Sequence, residues 1–285
     1  MEGNRNMVVL VTGASSGMGY QAAAILARRG WKVYAGARRL EKMEPLRKYG
    51  VTPLALDVTS DASAQGAVAQ VIQVEGHIDA LVNNAGYGAL GPVECVSLDE
   101  ARRQLEVNLL GVARMTSLVL PHMRRQHSGR IVNVSSIAGR ATMPMAGWYN
   151  ASKYALEALS DATRMEVRPY GITLAIVEPG GVQSDWGIIA AEKLRQSSRG
   201  SVYEDFATNE ADIFECMYSR NLLNLMTGGE KAGKVIAKAV CASRPRARYT
   251  FGLGSGAIRV LHALLPAKWL DAILVTIFSK VKLRT

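Results

Sequence analysis

The chain has 285 residues, 48% of them hydrophobic and 20% charged, with 27 Gly and 9 Pro. This composition excludes a collagen repeat, low-complexity disorder and a disulfide-stapled scaffold, and a chain this long buries roughly three-quarters of its unfolded surface. The formal charge of +10 is uneven: residues 228–285 hold eleven Lys or Arg against Glu230 and Asp271, a net of +9, leaving +1 for the rest.

Three scattered cysteines, Cys95, Cys216 and Cys241, form no C-x-x-C pair. They point to a reducing compartment rather than a zinc site. The four histidines show no metal-ligand spacing, so no metal is expected. With 6% aromatic residues and no reader motif, the basic charge does not read as a nucleic-acid surface. No leader-like apolar stretch precedes the first predicted strand, and no apolar run reaches the ~18 residues that span a bilayer. A soluble cytoplasmic protein is the expectation.

In chain order, short and almost wholly apolar segments alternate with helical ones. Strands are predicted at 8–12, 32–36, 52–56, 78–83, 130–135 and 172–177, and helices at 17–29, 61–75, 98–126 and 149–168. Continuous hydrophobicity marks strands buried on both faces, and the alternation predicts an α/β fold with a doubly wound parallel sheet. Beyond Pro179 the pattern breaks into a polar insertion over about 181–229. A helix near 231–242 and a strand near 248–252 then resume it. One catalytic domain over 1–252, with a helical lid and a C-terminal helical extension over 253–285, is the economical reading.

The first strand runs into Thr12-Gly13-Ala14-Ser15-Ser16-Gly17-Met18-Gly19 and then a helix. Glycines let backbone approach a pyrophosphate, whose charge sits at a helix N-terminus. Dinucleotide folds that select NAD end the second strand in Asp or Glu, which binds the ribose 2′-hydroxyl. Here residues 20–40 contain no acid, and the strand ends in Arg38-Arg39. A guanidinium suits a 2′-phosphate, so NADP(H) is the expected cofactor. For Arg39 a solvated helix start is an equal alternative.

Tyr149 and Lys153 stand four apart on a predicted helix, hence on one face. An ammonium beside a phenol lowers the phenol's pKa and lets it trade a proton with a substrate oxygen. Fourteen residues earlier Ser135 ends a strand, at the sheet edge where ligands bind.

These motifs together resemble the short-chain dehydrogenase/reductase family over about residues 7–185. Residues 12–19 match its cofactor turn, Asp57-Val58 its adenine contact, and Asn83-Asn84-Ala85-Gly86 its sheet-supporting motif. The resemblance implies a Rossmann-type fold. It makes Asn108 the holder of a proton-relay water, Ser135 the group that orients the substrate oxygen, Tyr149 the acid–base, and Lys153 its tuner and a ribose ligand. Pro179-Gly180, Val182 and Ser184 would flank the nicotinamide, with Ser184 where the family often has Thr. It also implies hydride transfer to or from a carbinol carbon and a homo-oligomer.

Met143, Met145, Trp148 and Trp186 near this centre suggest an apolar pocket. Residues 30–45 and the C-terminal segment look similar to hydroxysteroid- and retinol-dehydrogenase-like members, which points to an apolar alcohol or ketone. A 3-oxoacyl reductase and a non-catalytic NADP(H)-sensing module are the alternatives. The apolar stretch 257–278 between basic flanks reads as packing on the lid or a partner, as peripheral membrane contact, or as core closure.

Overall fold

A computed structural model of the chain describes residues 7–183, 186–220, 226–252, 255–256, 262 and 264–280. Seven parallel strands build it: β1 (Val8–Thr12), β2 (Lys32–Ala37), β3 (Thr52–Ala55), β4 (Ala80–Asn83), β5 (Gly129–Val134), β6 (Ile172–Pro179) and β7 (Arg248–Phe251). Their spatial order is β3-β2-β1-β4-β5-β6-β7. The chain therefore reverses its winding between β1 and β4, and the crevice beyond the carboxyl ends of those two strands is where such sheets bind ligands.

Side-chain alternation along each strand feeds two cores. Val9 and Val11 of β1 face α1 (Gly17–Arg28) and α8 (Gly229–Cys241), against Ala23, Leu26, Ile236 and Val240. Val8 and Leu10 face the other way, toward Val68 and Val71 of α2 (Asp61–Glu75) and Met115 and Val119 of α4 (Gly111–Gln126). This is the period-2 alternation of a sheet covered on both sides.

The predicted helix over 98–126 is interrupted. It divides into α3 (Leu98–Leu105), a single π turn at Glu106–Leu110, and α4. Such one-turn bulges redirect side chains and gather at functional sites, and this one carries Asn108. α5 (Gly147–Val167) follows β5. β6 runs two residues past its predicted end, where Glu178 and Pro179 pair with Thr250 and Phe251 of β7, and the fully buried Glu178 carboxylate accepts from Arg248 of β7 at 3.0 Å.

Between β6 and α8 the polar insertion forms α6 (Trp186–Ser198) and α7 (Glu204–Arg220), packed on each other, and α9 (Ala267–Lys280) lies against α7. Among the described residues no helix is long and apolar enough to cross a membrane.

Candidate active site

Three chain segments meet at the switch point. The first is the glycine turn after β1. Gly13 and Gly17 sit at φ +65° and +57°, the left-handed region that side chains disfavour. A Cβ on Gly13 would fall 2.6 Å from Ala85 Cα, and one on Gly19 2.3 Å from Asn84 Nδ2. The second segment, after β4, is bonded to the first: the Asn84 and Ala85 amides donate to Thr12 Oγ1 at 3.0 and 3.1 Å, and Asn84 Nδ2 donates to the Thr12 and Gly13 carbonyls. Ser16 starts α1 without capping it through its side chain, and no acid occupies the first turn. Amides there are aimed outward, ready for an anion.

At the rim of this cradle Arg38 and Arg39 are both exposed at the end of β2. Arg39 Nη2 donates to Ser15 Oγ at 3.4 Å, a link to the glycine turn. Arg38 lies close enough to Asp57 to act on it electrostatically. Burial works against ionisation of Asp57, yet two bonds from Thr59, at 2.9 and 2.7 Å, hold its carboxyl below the usual range, with help from Arg38 and Arg114. Val58 is buried against Gly111, and its carbonyl accepts from Arg114. The residues present therefore fit a dinucleotide with a charged group at the Arg38 end.

The third segment is β5 with the start of α5. Tyr149, buried, lies on α5 one turn before Lys153, and Lys153 Nζ donates to the Val134 carbonyl at 3.1 Å. Asn108 is fully buried on the π turn. Its Oδ1 accepts from the Tyr87 amide at 3.0 Å, while Nδ2 donates to the Tyr87 carbonyl and to Ser152 Oγ. Gly86 passes between these groups: a Cβ there would stand 3.2 Å from Asn108 Oδ1 and 3.5 Å from Lys153 Nζ.

Two sequence expectations require correction. The serine beside Tyr149 is Ser136, whose hydroxyl hydrogen-bonds the phenol and also accepts from the Ala138 amide at 3.1 Å. Ser135 is still part of the sheet, its amide bonded to the Val177 carbonyl. Alternation puts it on the same face as Asn133, which reaches Ser160 of α5, and its hydroxyl turns toward Glu157 of α5. Ser136, in extended backbone just past the strand, is freed from that alternation. The signal was in the sequence: Asn133 and Ser135 share parity, and Asn133 is an inward strand residue.

The second correction concerns Tyr149. Burial pushes its pKa up to about 12, with the Ser136 hydrogen bond working against the rise. Burial brings Lys153 down to about 8, opposed by Glu157. Lys153 Nζ sits 6.0 Å from the tyrosine ring centroid and bonds the Val134 carbonyl instead of the phenol. A phenol held protonated is a proton donor.

Trp186, at the start of α6, covers the phenol with ring centroids 5.3 Å apart, and Gly88 makes room for it, since a Cβ there would lie 2.6 Å from the indole. Phe214 and Tyr218 of α7 close around Trp186 at 6.5 and 6.0 Å. Sequence reasoning missed both, because periodicity marks a helix face as apolar without naming what it meets. Met143 and Met145 join this cluster with Leu90, Ala190 and Leu194. Met145 holds φ +55°, unusual for a side-chain-bearing residue. Trp148, about 100° further round α5, is outside the cluster. Pro179-Gly180 is tied to β7 by the Gly180 amide on the Phe251 carbonyl, and Val182 bridges to Thr227. Ser184 lies outside the described residues.

Comparison with known proteins agrees with this geometry. Residues 7–195 match the short chain dehydrogenase family. A probable short-chain type dehydrogenase/reductase of Helicobacter pylori is 33% identical, over 93% of this chain and 96% of its own. A 3-ketodihydrosphingosine reductase of Bacteroides thetaiotaomicron is 41% identical over 61% of this chain and 63% of its own. The crystal structure of a Burkholderia cenocepacia short chain dehydrogenase in complex with NADP superposes with a TM-score of 0.73 at 25% identity, over 95% of this chain and 98% of that one. A glycine turn locked to the segment after β4, a tyrosine one turn ahead of a buried lysine, and a match over about two-thirds of the sequence make this chain a member of the short-chain dehydrogenase/reductase family.

Proposed function

We propose that the protein is an NADP(H)-dependent oxidoreductase that reduces an apolar ketone, or oxidises the matching secondary alcohol. The observation that carries this reading is the buried Tyr149 phenol, paired with Ser136 and one turn from Lys153. The nicotinamide, when bound, supplies or accepts the hydride. The chain does the rest. Tyr149 gives its proton to the substrate oxygen in reduction and takes it back in oxidation. Ser136 holds that oxygen against the phenol, a role expected from the sequence for Ser135. Lys153 restores the charge balance beside Tyr149 and would bind the ribose. Asn108, locked between Tyr87 and Ser152, fixes the bend that would hold a relay water.

Two substitutions separate the serines. Ser136→Ala is expected to lower kcat by about 10²-fold, as expected for loss of one oxygen-orienting donor. Ser135→Ala is expected to keep kcat and to alter stability through Glu157. Full activity in Ser136→Ala, measured by NADPH consumption, would return the role to Ser135.

For the cofactor, Arg38 is the proposed reader of the 2′-phosphate, supported by its exposed place at the cradle rim and by the NADP complex of the Burkholderia relative. Arg38→Asp is expected to weaken NADPH binding by about 10²-fold, as loss of a charge-assisted bidentate pair and gain of a repelling charge would. NADH binding should be spared or improved. Equal losses for both cofactors, titrated by nicotinamide fluorescence, would sink that assignment.

The enclosure supports a reading of the substrate class. Trp186, Phe214, Tyr218, Met143 and Met145 offer apolar surface and, in the methionines, adaptability, which suits a steroid-, retinoid- or similar lipid-like ketone. The Bacteroides relative, named for reduction of a keto lipid, supports this class. α6 and α7 act as the lid. The test is NADPH consumption with a panel of a steroid ketone, a retinoid aldehyde, a short diketone and a 3-oxoacyl thioester. Turnover of the bulky ketones supports the reading, and turnover of the thioester alone replaces it with a 3-oxoacyl reductase.

A further inference from the structure

Beneath the turn that carries Ser136 lies a buried cluster of charge that proton and hydride transfer leave unused. Arg248 of β7 donates to Glu157 Oε2 of α5 through Nε and Nη2 at 3.3 and 3.1 Å, to Glu178 Oε1 of β6 at 3.0 Å, and to Asp161 Oδ2 of α5 at 2.6 Å. Glu157 and Glu178 are 4% and 0% exposed. Carboxylates so far from water persist as ions only when paired. Two further cations meet the cluster from outside: Arg140 pairs with Glu178 at 3.5 Å, and Arg164 pairs with Asp161.

The cluster touches the catalytic centre at two points. The turn Ile137–Gly139 rests on it, since a Cβ on Gly139 would stand 2.9 Å from Ser135 Oγ, 3.0 Å from Glu157 Cγ and 3.0 Å from the Lys153 carbonyl oxygen. Glu157 also lies one helical turn beyond Lys153, so these two buried side chains share a face of α5. Lys153 has use for such a neighbour. Its Nζ donates to the Val134 carbonyl, a neutral acceptor, and burial favours the uncharged amine, with the charge of Glu157 working against it. The other side chains of the centre, Tyr149, Asn108, Ser152 and Ser136, carry no carboxylate. Glu157 itself is under two influences. Burial and the charge of Glu178 favour its acid form, while the Ser135 hydroxyl and Arg248 favour the carboxylate.

We propose that Glu157, held as a carboxylate by Arg248, is a positioning residue of the reaction, the counter-charge that keeps Lys153 an ammonium beside Tyr149. This rests on the functional reading above, in which Tyr149 gives up a proton. The phenolate left behind is stabilised by a lysine that is charged and not by one that is neutral. β7 thereby reaches the centre through Arg248 without touching substrate or cofactor.

Glu157→Gln removes the charge and keeps the shape. Arg248 retains Glu178 and Asp161 in that variant, so a folded protein is expected, which a cooperative thermal melt checks. The first readout needs neither substrate nor cofactor: the titration of the Lys153 ammonium by NMR of ε-carbon-labelled lysine, its signal identified by loss in Lys153→Met. In Glu157→Gln the midpoint is expected to fall by about one pH unit or more, as loss of a close opposite charge would bring. Glu157→Asp keeps the charge and should hold the midpoint near that of the wild type. The second readout is the pH profile of ketone reduction. Its decline should begin about one unit lower in Glu157→Gln, with the loss made good as pH is lowered. Equal midpoints in wild type and Glu157→Gln would overturn the proposal. So would a midpoint that falls as far in Glu157→Asp, which would assign the effect to shape, or a rate lost equally at every pH, which would make Glu157 a packing residue. Because the NMR titration stands apart from turnover, a shifted midpoint in a protein that reduces none of the ketones would refute the substrate reading and leave the pairing of Glu157 with Lys153 in place.

Discussion

Tyr149→Phe is expected to reduce ketone turnover by about 10³-fold, the size of effect that loss of a positioned general acid produces, with NADPH affinity retained. The substitution keeps the ring, so the stacking on Trp186 at 5.3 Å and the packing around it survive. What is lost is the proton. Burial holds the Tyr149 hydroxyl protonated with a pKa near 12, so in reduction it enters with the proton it must give. Replenishing it falls to the neighbourhood of Lys153, whose pKa burial has lowered to about 8. Reduction should accordingly hold steady below about pH 7 and decline as pH rises through about 8, where Lys153 gives up its charge. Lys153→Met should remove that decline together with most of the rate. A Tyr149→Phe enzyme that still turned over ketones at near wild-type kcat would place the acid elsewhere. Loss of NADPH binding in that variant would mean the phenol serves the cofactor instead.

The fold was largely legible because its signals are local and repeated. Strands buried on both faces read as unbroken apolar runs, and every predicted strand formed within two residues of its expected ends. The glycine turn was equally plain, since φ above zero at Gly13 and Gly17 and the close pass of Ala85 are demands only glycine meets. The misses share one cause: they depend on where a side chain points after a strand or helix ends. Ser135 and Ser136 are neighbours of identical chemistry, and only the parity of β5 and the partner on α5 distinguish them. The π turn at Asn108 breaks no sequence rule, for Glu106–Leu110 is ordinary helix-forming sequence. Phe214 and Tyr218 lie in a segment read simply as a polar insertion, and their meeting with Trp186 is a tertiary fact. The tyrosine's pKa was misjudged for the same reason. Spacing puts Lys153 on its face, but burial raises the phenol's pKa, the opposing influence is the Ser136 hydrogen bond, and Lys153 turns to the Val134 carbonyl.

Glu210→Gln should stabilise the protein above about pH 8 and leave it nearly unchanged near pH 5. Glu210 lies on α7, three residues after Ala207 and four before Phe214, both of which pack in the cluster over Tyr149. Its side chain is fully buried, and among the described residues neither carboxylate oxygen has a hydrogen-bond partner. Burial alone raises its pKa from 4.5 to about 8, because an unpaired charge in apolar surroundings is costlier than a neutral acid. The sign follows from linkage. Below about pH 4.5 folded and unfolded chains both hold the proton, and there is no penalty. Between 4.5 and 8 the unfolded chain releases its proton while the folded one retains it, so stability falls as pH rises. Above 8 the penalty is complete, roughly 5 kcal/mol at about 1.4 kcal/mol for each pH unit between the two values. Glutamine fills the same space and never ionises, so its stability should lack that slope. Urea midpoints of both proteins from about pH 5 to pH 9 decide the matter: curves that diverge with rising pH support the account, and parallel curves refute it. The same energetics predicts which part loosens first. Ionising Glu210 works against the seat of α7, so protection from hydrogen exchange should fall in α7 and in α6 packed on it while the strands β1, β4 and β5 keep theirs.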